Sequence, residues 1–266
     1  MTPWLEACRA AAGDVRAVLA ELPTRVEREP VGRIGEGGDE TTAIDAAAEA
    51  AVLARLAKVE EGFSLVSEEL GEASYGSGGP WRVVLDPIDG SLNAKRGIPF
   101  FSLSVAVADG PAMGDVAFGY VYDFGSGEEW TAARAGGAFL NGDPLGAVRP
   151  KDEIEILSFE ATTTAEVAER AAAVAGAAHR LRIMGSLALS LCHLAAGRVD
   201  GVCSLKPARS VDIAAGQLLV RECGLAIDLF EDPPFAAAPL DLVGRSRVVA
   251  AGTDGLCRKL ADALTA

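Results

Sequence analysis

Residues 83–93 read VVLDPIDGSLN and set two carboxylates, Asp86 and Asp89, at the end of an apolar run. A bare carboxylate in apolar surroundings is costly unless it is paired or bound to a cation. The segment itself holds no lysine or arginine. Two more acidic groups end apolar segments: Glu68-Glu69 after FSLVS, and Asp212 in SVDIAAG. Carboxylates gathered by strand ends make an oxygen-rich site for a hard cation such as Mg²⁺. Pro87 fixes a bend between the two aspartates, and Gly90 permits a tight approach. Such a bend turns the Ile88 carbonyl inward as one more oxygen ligand. The GSLN that follows opens a helix or turn whose free N–H groups suit a phosphate.

Each piece also has an ordinary reading. A Glu-Glu pair is a solvated surface, DPxDG is a turn former, and Asp212 is an N-cap candidate. A calcium loop fails outright. Counted from Asp86, the obligatory glycine falls on Ser91 and the closing glutamate on Gly97. There is no GxxxxGK and no GxGxxG.

The elements that must position these acids follow from periodicity. Residues 3–22 form an amphipathic helix, not a leader peptide, because Glu6, Arg9, Asp14 and Arg16 interrupt it. EPVGRIGEGGDETT reads as a mobile loop or loose hairpin, within which Arg33 is placed to swing over the site. Residues 44–59 are helical. FSLVSEE and WRVVLDP are strands, with GEASYGSGGP a flexible turn between them. FFSLSVAVA, GDVAFGYVYDF and GEEWTAARAGG are further strands, and AFLNGDPL holds an Asn-Gly turn. From about Lys151 strand and helix alternate. TTAEVAERAAAVAGA is a helix capped by Thr163 or Thr164, and His179 precedes the strand HRLRIM. The first half is α+β, the second α/β units. The division is 1–150 and 151–266 within one compact unit.

Composition narrows the function. The chain has 266 residues, 50% hydrophobic and 23% charged, enough for one large globular core. Its net charge of −14 argues against a nucleic-acid backbone or an anionic membrane as partner. No run approaches the roughly 18 apolar residues of a membrane span. The five scattered cysteines show no zinc spacing and fit a reducing cytoplasm. The two histidines, His179 and His193, read as structural.

LDPIDGSLN resembles the DPxDGTxN signature of the inositol monophosphatase superfamily, the Mg²⁺-dependent, lithium-sensitive sugar phosphatases, with Ser91 where Thr is commonest. SEE resembles the family's GEE segment, about twenty residues upstream. SVDIAAGQLLVRECG resembles its second signature, WDxAAG, with Val211 where Trp is common. TTAIDAAAE and RIMGSLALSL resemble two more family segments, and the pieces come in family order over nearly the whole chain. RIGEGGDETTAID, NAKRGIPFFSLSVAV and the Arg209-x-x-Asp212 pattern look most like the archaeal-type enzymes acting on both fructose 1,6-bisphosphate and inositol phosphates.

That resemblance implies a layered αβαβα sandwich, a homodimer, and hydrolysis of a small phosphate ester by metal-activated water. It implies two or three Mg²⁺ per site. One would take Glu68, Asp86 and the Ile88 carbonyl, and another Asp86, Asp89 and Asp212. A weaker third would use Glu68 and water. Asp45 and Ser91 would position the attacking water. Asp89, Asp212 and the N–H groups of Gly90 and Ser91 would meet the substrate, with Arg182, Gly185, Ser186 and Leu187 on the sugar side. Lys206 stands near the place of a substrate arginine and suits a second phosphate. Rival substrates are NADP, adenosine 3′,5′-bisphosphate and histidinol phosphate. A rival of another class is a metal-binding regulatory protein without turnover.

Overall fold

The structure is a computed structural model. It describes residues 2–36, 40–59, 62–146, 151–160, 163–230 and 234–265. Helix α1 (Thr2–Glu21) buries Trp4, Cys8, Ala11, Ala12 and Val15 on one stripe, the three-four spacing of an amphipathic helix. A short α2 (Arg25–Arg28) precedes a hairpin of β1 (Val31–Ile34) and β2 (Glu40–Thr42). The expected loose hairpin is thus present. Its glycines Gly37 and Gly38 lie outside the described residues, as does the Arg33 side chain. From β2 the chain runs directly into α3 (Ala43–Leu56).

Next come β3 (Phe63–Ser67), β4 (Gly71–Tyr75), β5 (Trp81–Asp89), α4 (Ser91–Arg96), β6 (Ser102–Ala108), β7 (Val116–Asp123), β8 (Glu129–Ala133), β9 (Gly137–Leu140) and β10 (Asp143–Pro144). The strands form an eight-stranded sheet in the order β10-β9-β8-β7-β6-β5-β3-β4. Its pairs are antiparallel except β3 with β5. That exception builds the site. Ser67 lies opposite Leu85 in a parallel register, so Glu68 and Asp86, the next residues, come to the same end of the sheet. The β5–β6 register then breaks between Asp86 and Asp89, where Pro87 has no N–H to give the ladder.

The first-half reading needs one correction. Residues 71–75, expected as a turn, form edge strand β4 against β3. Its alternation of covered and exposed residues is a strand pattern hidden among glycines and serines. Tyr75 stacks on Phe63 with ring centroids 5.0 Å apart, which holds this edge.

The second half supplies β11 (Ile154–Glu160), α5 (Thr164–Arg170), β12 (Ala178–Arg182), α6 (Leu187–Ala195), β13 (Gly201–Ser204), α7 (Ser210–Glu222), β14 (Ala226–Leu229), β15 (Val248–Ala251) and α8 (Asp254–Thr265). Thr163 caps α5 as expected, but the helix ends at Arg170, and His179 lies inside β12. The sheet order is β12-β11-β13-β15-β14. β12, β11 and β13 are parallel, whereas β15 runs against both β13 and β14. Among the described residues no α-helix separates β14 from β15, and β15 runs beside β14 in the opposite sense. The expected boundary at residue 150 falls at the end of a stretch outside the described residues.

Three buried clusters show the layering. α1 and α3 cover one face of the large sheet through Leu65, Val83, Leu103 and Val105. The other face meets α6 and α7, which also pack on Val202, Val248 and Ala250 of the small sheet. The small sheet's far face, through Leu157, Cys203 and Val249, meets α8. The result is the expected α/β sandwich with helix layers outside and between two sheets. α6 is apolar nearly all round because it lies between sheets. α7 approaches closely through small residues. A Cβ on Gly119 would meet the Ala215 carbonyl at 2.8 Å. All five cysteines are buried and free. No described helix is long and apolar enough to cross a membrane.

Candidate active site

Four helices begin around the end of β5. Asp45 stands at the third position of α3, where its Oδ2 accepts from the Thr42 N–H (3.0 Å) and hydroxyl (2.5 Å). Ser91 opens α4 after Gly90, which adopts φ +92°. Ser186 caps α6, accepting from the Leu189 N–H at 3.3 Å. Asp212, read from sequence as an N-cap candidate, sits three residues into α7 and accepts from the Arg209 N–H at 2.7 Å. Free N–H groups at helix starts give this region partial positive charge.

The acids expected as metal ligands come together. Oxygens of Glu68, Asp86 and Asp212 lie within 4.8 Å of one another. Glu68 is 7% exposed, Asp86 1% and Asp89 8%. Asp86 Oδ1 accepts from the Ile88 N–H at 2.9 Å, while Oδ2 is buried with no hydrogen-bond partner. Asp89 stands beside the trio. Its Oδ2 accepts from the Ser186 hydroxyl and, at 2.8 Å, from the Ala188 N–H. The Ile88 carbonyl accepts from the Ser91 hydroxyl at 3.0 Å.

Electrostatics follow from this crowding. Burial first, then the charges of Glu68, Asp89 and Asp212, hold Asp86 well above the usual carboxylate range. Burial raises Glu68 to about 8; Arg209 opposes the shift, and Asp212 and Glu69 add to it. Burial and Asp212 lift Asp89 to about 7, against the Ser186 and Ala188 hydrogen bonds. The set is all oxygen, largely buried, mutually repelling, and holds one unsatisfied Oδ2. Those properties fit a hard divalent cation.

Beside the cluster lies a cavity of about 160 Å³, lined among others by Asp89, Glu160, Gly185, Leu187, Lys206, Arg209, Asp212 and Arg245. Gly90 and Gly185 approach closely: a Cβ on Gly90 would meet the Gly185 carbonyl at 3.0 Å. Arg182 is exposed, and its Nη1 donates to the Leu181 carbonyl at 2.9 Å. It is not among the cavity-lining residues.

Sequence reasoning missed several residues here. Glu160 is 7% exposed, accepts from Ser158 (2.8 Å) and Ser190 (2.7 Å), and takes the Gly185 N–H at 2.9 Å. Its signal was available: it closes the apolar strand EIEILSFE as Glu68 closes FSLVSE. Lys95 Nζ lies 3.7 Å from Asp45 Oδ2, four residues beyond Ser91 on α4. Arg245 reaches the cavity from a loop that carried no signal.

The pattern of the inositol monophosphatase family matches residues 2–265. The chain belongs to that family. It is 32% identical over 250 residues to the fructose-1,6-bisphosphatase/inositol-1-monophosphatase of Archaeoglobus fulgidus, covering 93% of this chain and 92% of that one. It is 34% identical over 277 residues to the Nus factor SuhB of Escherichia coli, covering 99% of both. Its fold matches a solved inositol monophosphatase–fructose 1,6-bisphosphatase with a TM-score of 0.85 at 27% identity, covering 98% of this chain and 99% of that one. Glu68, Asp86 and Asp212 thus form an acidic cluster in an inositol monophosphatase family chain.

Proposed function

We propose that the protein is a Mg²⁺-dependent phosphomonoesterase whose leading substrates are fructose 1,6-bisphosphate and inositol 1-phosphate. The observation that carries this reading is the trio of buried Glu68, buried Asp86 and half-buried Asp212, oxygens within 4.8 Å, with Asp86 Oδ2 unsatisfied. Glu68, Asp86 and the Ile88 carbonyl would hold one Mg²⁺, and Asp86, Asp89 and Asp212 another. Bound there, the metal supplies Lewis acidity that activates water and stabilises the leaving oxygen.

The chain's own groups do the rest. Asp45 keeps Oδ2 on Thr42 while Oδ1 is buried without a hydrogen-bond partner, so Oδ1 can take a proton from the attacking water. Ser91 orients that water alongside Asp45. The Gly90 and Ser91 N–H groups at the start of α4 hold phosphate oxygens. Ser186 fixes the Asp89 carboxylate. Gly185, Leu187 and Lys206 line the cavity and meet the sugar, with Lys206 on a second phosphate. A homodimer in a reducing cytoplasm accompanies this reading, and the five buried free thiols agree with that compartment.

The test is phosphate release with Mg²⁺ from fructose 1,6-bisphosphate, inositol 1-phosphate, NADP, adenosine 3′,5′-bisphosphate and histidinol phosphate, beside Asp86→Asn. Turnover of the first two, lost in the variant, is the expected result. Turnover of one of the others keeps the mechanism and replaces the substrate. Mg²⁺ binding without phosphate release from any ester would favour the regulatory alternative.

A further inference from the structure

A guanidinium sits against the carboxylate trio. Arg209 Nη2 lies 2.5 Å from Glu68 Oε1 and 3.4 Å from Asp212 Oδ1. Arg209 is itself buried, 7% exposed. Its backbone is pinned at the start of α7, where its N–H donates to Asp212 Oδ2. The charged group is therefore aimed from a fixed helix start.

We propose that Arg209 is a built-in counter-ion that competes with a divalent cation for Glu68 and Asp212, and so sets the affinity of the site for metal. The proposal rests on the metal reading above. The physical basis is that a guanidinium and a metal ion seek the same lone pairs. The Glu68 oxygen that accepts from Nη2 is not available to a metal until that contact opens. A positive group left beside it also repels an incoming cation. Without metal, Arg209 relieves the repulsion between Glu68 and Asp212. On loading, the guanidinium turns away from Glu68 toward the cavity it already lines. Arg209 is in this sense a positioning residue, acting through the acids and not on the reacting atoms.

The experiment is a calorimetric titration of full-length, chelator-stripped protein with MgCl₂ alone, together with thermal melts with and without Mg²⁺. Wild type is compared with Arg209→Gln and Arg209→Lys. Losing one charge-assisted competitor should tighten Mg²⁺ binding by about tenfold in Arg209→Gln. The metal-free form of that variant should melt below wild type, and the gap should close at saturating Mg²⁺. Arg209→Lys, which keeps the charge but loses the planar fork, should fall between. Equal or weaker Mg²⁺ binding by folded Arg209→Gln overturns the proposal. If that variant does not fold, Arg209→Lys decides: affinity no tighter than wild type overturns it. No turnover is measured, so a wrong substrate leaves the result intact. Absence of Mg²⁺ binding in every form would instead sink the metal reading beneath it.

Discussion

The Asn93 side-chain amide donates to the Met184 carbonyl at 2.7 Å, joining residues 91 positions apart. The same nitrogen donates to the Phe100 carbonyl at 2.8 Å. One amide therefore ties the acidic turn after β5 to the segment that leads into α6. Asn93→Ala leaves two carbonyls without this donor. A loss of about 2 kcal/mol in urea unfolding is expected, with a clear fall in phosphate release. A variant with unchanged stability and rate would show that this tie is incidental.

Gly90 and Gly185 both hold positive φ, +92° and +88°, and face each other across the site. An added methyl at Gly185 would sit 3.1 Å from the Asn93 amide nitrogen. Either glycine-to-alanine change should destabilise by about 1–2 kcal/mol for the backbone alone and lower kcat/KM more than tenfold. Melting temperature and steady-state kinetics on both variants would check this.

The metal-free protein should lose stability as pH rises from 5 to 9. Glu68 at about 8 and Asp89 at about 7 lie above their unfolded values, near 4. Between those limits the folded state binds more protons than the unfolded state, so unfolding free energy falls with rising pH. Saturating Mg²⁺ should flatten or reverse that slope. Thermal melts across this range, with and without chelator, settle the sign.

Glu160→Gln tests the buried glutamate that reasoning from sequence passed over. Oε1 accepts from two hydroxyls and Oε2 from the Gly185 N–H, so an amide keeps the Gly185 bond only by turning its NH2 on the hydroxyls, which must then accept instead of donate. Gly185 should loosen, raising KM several-fold while Mg²⁺ affinity stays close to wild type. Loss of Mg²⁺ binding would instead place Glu160 among the metal's supports.

Lys206→Met should raise KM for fructose 1,6-bisphosphate about tenfold and leave inositol 1-phosphate within about twofold, if the lysine meets a second phosphate. Equal effects on both substrates would place Lys206 on the shared phosphate or outside the site.

Much of the site was legible because the acids close apolar strands, a pattern a single sequence displays openly. Glu68, Asp86 and Asp89 follow it, whereas Asp212 sits three residues into α7. β4 was not legible, since Gly71, Ser74 and the glycines beyond it are turn formers, and only its pairing with β3 makes it a strand. The Arg209–Glu68 ion pair was hidden for another reason. Its partners come from different halves of the chain, and local spacing shows only the Arg209–Asp212 half of it. Arg182 shows the opposite case: adjacency to Gly185 in sequence does not carry its side chain to the cavity.

The four helix starts around the site come from both halves of the chain, α3 and α4 from one, α6 and α7 from the other. The eight-stranded sheet can pair its strands locally and gather three of the four acids. Asp212 arrives only with α7, and the bond from Ser186 that fixes Asp89 spans 97 positions. A chain that has formed only its first sheet therefore lacks Asp212 and the Ser186 bond to Asp89, and has no complete centre. Contacts of such long range form late and slowly. Catalytic competence is then the last property the folding chain acquires, and a truncated or stalled chain has none of it.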